Sequence, residues 1–87
     1  MTKITAAITK VGRTEFTVVS VKPTAVATIS GAERVISGFR AYFPGRPIVL
    51  AAEVGGRMKY VGRTDLTRFL VQTPPTHLPW KTYSFSD

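Results

Sequence analysis

Apolar and polar residues alternate from Lys3 to Thr9, with Ile4, Ala6 and Ile8 on one side and Lys3, Thr5 and Thr9 on the other. That period of two predicts a half-buried strand. The β-branched and aromatic stretch EFTVVSV, residues 15 to 21, predicts a second strand paired with the first across the turn KVGRT. TAVATIS, residues 24 to 30, follows Lys22-Pro23 and reads as a third, completing a meander. At Ser30 the period changes. Ser30 and Glu33 have the S-x-x-E spacing of a capping box, and Ala32, Val35, Ile36, Phe39, Tyr42 and Phe43 then follow one helical stripe until Pro44-Gly45. The aromatics of that stripe are expected in the core. Gly38 lies inside this helix at a cost of about 1 kcal/mol relative to alanine, which points to close packing there.

The nearly continuous apolar run IVLAAEV, residues 48 to 54, predicts a strand covered on both faces. Gly55-Gly56 joins it to RMKYVGR in a two-residue hairpin. The implied register sets Val54 against Arg57, Glu53 against Met58, Ala52 against Lys59 and Ala51 against Tyr60, so Arg57 and Lys59 share a face and must reach solvent. TDLTRFLVQ, residues 64 to 72, places Leu66, Phe69 and Leu70 on one side of a short helix with Thr64 and Asp65 as cap candidates, a strand being the alternative. The final segment, TPPTHLPWKTYSFSD, is stiffened by Pro74, Pro75 and Pro79 and decorated by Trp80, Tyr83 and Phe85.

These elements describe an α+β protein: a single globular domain over residues 1–73, with an antiparallel sheet of about five strands in the order β-β-β-α-β-β, then a short helix. Residues 74–87 form an extended C-terminal arm packed on the domain or on a partner, with Trp80 closing the core and YSFS adding an edge strand in the first case. A homodimer through the arm belongs to the second. The alternative architecture is a small, mainly β barrel. VGRTEFT, residues 11 to 17, returns as VGRTDLT, residues 61 to 67. The first copy leads into a strand and the second into a helix, so the pair reads as two turns using the same residues, not as a repeat.

Charge changes the picture more than composition does. Twelve Lys and Arg against five Asp and Glu give a net charge of +7 in 87 residues, which draws anionic partners. Arginine outnumbers lysine in the middle of the chain, and its planar fork suits phosphate and carboxylate. No cysteine is present, consistent with a reducing compartment and a cytoplasmic location. The N-terminal stretch lacks the apolar run of a secretory signal, and no segment reads as a membrane span.

An enzyme is not expected. His77 stands alone between prolines, the carboxylates are scattered, and no nucleophile elbow, phosphate loop or metal-ligand spacing occurs, so neither a cofactor nor a metal is expected. The reading that follows is a small basic protein contacting DNA or RNA mainly through backbone phosphates, with weak sequence specificity. Arg13, Arg40, Arg46, Arg57, Lys59 and Arg63 are the candidate anion contacts, and Tyr60, Trp80 and Tyr83 the candidate stacking or partner-arm residues. The alternative is a protein-protein interaction module, such as a small inhibitor or adaptor of phage or plasmid type, docking on an acidic protein surface.

Overall fold

The computed structural model describes residues 1–86. Five strands and two helices follow one another as β1 (Thr2–Val11), β2 (Thr14–Ser20), α1 (Ile29–Phe39), β3 (Ile48–Val54), β4 (Arg57–Val61), α2 (Thr64–Val71) and β5 (Trp80–Phe85), with short 3-10 turns at Pro23–Val26 and Pro75–His77. The strands form a single sheet in the order β4-β3-β2-β1-β5. Its radius of gyration of 12.2 Å matches the roughly 12 Å expected of a compact chain of this length.

The sheet is mixed, which corrects the antiparallel expectation. β1 pairs antiparallel with β2 and β5, and β3 with β4, but β2 and β3 run parallel. Two parallel neighbours need a crossover, and α1 supplies it. Nor is the sheet a barrel: β4 and β5 are its two edges and do not pair. The predicted third strand is the other correction. Pro23 presets the backbone for a 3-10 turn, and the alanines that follow have little strand preference, so residues 24 to 30 divide between that turn and the start of α1. The element order is therefore β-β-α-β-β-α-β.

The cap of α1 also moves. Thr28, not Ser30, is the N-cap, and its side chain accepts a hydrogen bond from the Gly31 amide at 3.0 Å. A Cβ at Gly31 would lie 2.8 Å from that oxygen, so the glycine makes room for the cap. At its other end α1 stops at Phe39, leaving Tyr42 and Phe43 in the turn beyond it. Gly38, expected to mark close packing, faces open space.

Each helix covers one face of the sheet. On the α1 face, Ile4, Ala6, Val19, Ile48, Leu50 and Ala52 bury against Ala32, with Val35, Ile36 and Phe39 packed on them. Phe43 extends this core to β5, meeting Tyr83 and Phe85 edge-on at centroid distances of 5.4 and 5.6 Å. On the other face, Ala7, Phe16, Val18, Val49 and Ala51 lie beneath Leu66 and Leu70 of α2 and beneath Leu78. Ala6-Ala7 and Ala51-Ala52 put small side chains on both faces, so both layers can approach the sheet closely. This explains why IVLAAEV reads as continuously apolar: Ile48 to Ala52 are buried on whichever face they point to.

Candidate functional site

β4 is positioned by the turn that precedes it. Gly55 and Gly56 both take positive φ, 60° and 79°, as a tight hairpin turn requires, and the observed pairs Val54–Arg57, Glu53–Met58, Ala52–Lys59 and Ala51–Tyr60 are those read from the sequence. Alternation along β4 then places Arg57, Lys59 and Val61 on the α1 face and Met58 and Tyr60 on the α2 face. A groove of about 540 Å³ separates α1 from this edge of the sheet. Ile29, Glu33, Ile36 and Arg40 line its helix side, and Ile48, Val61, Gly62 and Arg63 its sheet side. Ile29 is 78% exposed, an unusual position for an isoleucine. Gly62 lets the chain close down on β3: a Cβ there would come within 3.0 to 3.2 Å of Val49 and the Ile48 carbonyl.

A smaller hollow of about 350 Å³ lies on the α2 face of the same strand, lined by Arg57, Met58, Tyr60, Leu70, Val71 and Pro75. Val71 is 74% exposed. The Tyr60 hydroxyl is buried without a hydrogen-bond partner, and burial raises its pKa above the ordinary tyrosine value.

The six predicted anion contacts do not form one patch. Arg13 occupies the β1–β2 turn, whereas Arg57 follows the β3–β4 turn at the opposite end of the sheet. Arg40 and Arg63 line the groove together. Arg46 is held by Glu15 at 2.5 Å. Arg63 donates two hydrogen bonds to Asp65, at 3.0 and 2.7 Å, which raises the guanidinium pKa and lowers that of the carboxyl. Lys59 donates to the Val26 carbonyl at 3.2 Å, tying β4 to the turn before α1. The two VGRT arginines come from different places in the sheet: Val61 is level with Val19, so Arg63, two residues further, is level with Thr17, about 10 Å along the strands from the β1–β2 turn and two strands across from β2.

The predicted aromatic residues also separate. Tyr60 and Trp80 pack on the α2-face core and Tyr83 on the α1-face core, all three half-buried. The Trp80 indole donates to the Pro75 carbonyl at 2.8 Å. Comparison with protein-family models, curated proteins and solved structures finds no match.

Sequence reasoning found Arg57, Lys59 and Tyr60 but missed Ile29, Ile36, Val71 and the edge position of β4. Ile29 was hidden by the reading of residues 24 to 30 as a strand, which gave it a place in the sheet, whereas it starts α1 and is exposed. Among the described residues no three His, Asp or Glu side chains gather as a metal site would need, and no helix is long and apolar enough to cross a membrane.

Proposed function

We propose that this protein is a small interaction module that docks an acidic partner protein along β4, in the groove beside α1. The observation that carries the reading is an exposed isoleucine, Ile29, in an open apolar groove with Arg40 and Arg63 on its rim. Apolar centre and arginine rim are the composition of a protein-binding patch. Phosphate recognition needs instead a continuous cationic track with ring faces for the bases. Here the cations are spread over both ends of the sheet, and Tyr60, Trp80 and Tyr83 are spent on packing.

A second reading keeps its footing on one observation, the net charge of +7. It makes the protein a weakly sequence-specific DNA or RNA binder acting through phosphates, with Arg13, Arg40, Arg57, Lys59 and Arg63 its exposed contacts.

Substitution of Ile29 by serine leaves the charge untouched and separates the two. In a selection from displayed random peptides, the wild-type protein should enrich acidic sequences and Ile29→Ser should lose them. If nothing enriches and a labelled oligonucleotide binds with a log–log salt slope of roughly −3 to −6, unchanged in Ile29→Ser, the phosphate reading replaces the first.

A further inference from the structure

The groove beside α1 and the hollow beside α2 lie on opposite faces of the sheet, yet both border β4, and β4 is an edge strand. In a hairpin with a two-residue turn, the pair flanking the turn exchanges hydrogen bonds, so Val54 and Arg57 are a bonded pair. Bonded and non-bonded pairs alternate from there. Arg57, Lys59 and Val61 therefore turn their backbone groups towards β3, whereas Met58 and Tyr60 turn theirs outward. Among the described residues nothing pairs with those outward groups.

Natural edges are usually protected by covering, bulging or charge. Charge is the device here, through Arg57 and Lys59, which strand alternation sets on the α1 face, with Arg57 at the turn also bordering the hollow. The described residues place no carboxylate within ion-pair distance of either cation. On the other face the edge is apolar, with Met58, Tyr60, Leu70 and the exposed Val71 around the hollow.

We infer that β4 accepts an extended segment of a partner protein as a sixth strand, and that this segment alternates acidic and apolar side chains. The inference rests on the protein-binding reading above and gives its mode. Side chains of an added strand alternate between faces. Those on the α1 face meet Arg57 and Lys59 and are acidic, while those on the α2 face enter the hollow over Met58 and Tyr60 and are apolar. A second copy of this chain does not meet the requirement. Antiparallel pairing of β4 with itself would bring Arg57 and Lys59 of both copies onto one shared face, where like charges oppose each other.

The test uses capped peptides of roughly nine residues, long enough to span β4. One alternates Glu and Val, one has the same residues in two blocks, and two more carry the alternating sequence with N-methyl groups on the Glu or on the Val amides. Binding to the full chain is read by calorimetry at low salt. The alternating peptide should bind at least about tenfold more tightly than the block peptide. N-methylation of one alternating set should remove binding and of the other should leave it, because only one set faces β4. Arg57→Glu with Lys59→Glu should weaken the alternating peptide about tenfold or more while the circular dichroism spectrum is unchanged.

Equal binding of the alternating and block peptides, with both N-methyl sets harmless, would overturn strand addition but leave a protein-binding surface. If no peptide binds while an oligonucleotide does, the protein-binding reading falls and strand addition falls with it.

Discussion

Thr17 is fully buried at the middle of the sheet, and its hydroxyl has no hydrogen-bond partner. Its neighbours across the strands are Ile8 and Ile48, so the group faces hydrocarbon. Leaving a buried hydroxyl unpaired costs about 1–3 kcal/mol. Valine has nearly the same shape and an equal preference for strands, so Thr17→Val removes the cost without making a cavity. The expected gain is about 1–2 kcal/mol, or a rise of roughly 5–10 °C in melting temperature for a domain of this size. Thr17→Ser is the matched control: it keeps the hydroxyl, deletes a buried methyl and should lose about 1 kcal/mol. Urea denaturation followed by tryptophan fluorescence measures both, since Trp80 is the one tryptophan. The slope of free energy against urea should be the same in all three proteins. A Thr17→Val protein less stable than the wild type would refute the reasoning, because it would mean that the hydroxyl is satisfied in solution and contributes to the core.

Other substitutions test separate parts of the structure. Gly38→Ala should stabilise by about 0.5–1 kcal/mol, because its Cβ meets open space, whereas Gly31→Ala should gain little, since the helix preference is offset by loss of the Thr28 cap; thermal melts compare them directly. Gly62→Ala should destabilise by about 1–3 kcal/mol, because a Cβ pressed on Val49 and the Ile48 carbonyl forces β4 away from β3. Tyr60 has a raised pKa from burial, so the folded state holds its proton beyond the point at which the unfolded chain releases it. Its contribution is present below the ordinary tyrosine pKa of about 10 and is lost as pH rises above it. Tyr60→Phe should therefore flatten the alkaline limb of a stability–pH curve and, by removing an unpaired hydroxyl, lose no stability at neutral pH.

Local chemistry was readable from the chain and long-range pairing was not. Gly55-Gly56 fixes a two-residue hairpin whatever surrounds it, so the register through Arg57, Lys59 and Tyr60 followed from the turn alone. Leu66 and Leu70 keep helical spacing under α2 for the same reason. Residues 24–30 misled because two cap signals overlap: Ser30 with Glu33 has the better-known spacing, but Thr28 with Gly31 makes the bond. YSFS was readable as an edge strand, but its pairing with β1 and the parallel β2–β3 pair join residues far apart in sequence, and no local pattern encodes them. The edge position of β4 depends on both. Its grooves were accordingly invisible, although the residues that charge the edge, Arg57 and Lys59, were already among the candidates.

Amide chemical-shift mapping tests the central claim most directly. Uniformly labelled protein is titrated at low salt with the alternating acidic peptide and, separately, with a single-stranded oligonucleotide. Docking along β4 predicts that the peptide shifts residues 57 to 63, with Ile29, Ile36 and Arg40 across the groove, and protects the Met58 and Tyr60 amides from exchange. Shifts centred instead on Arg13 and the β1–β2 turn, produced by the oligonucleotide and not by the peptide, would contradict it.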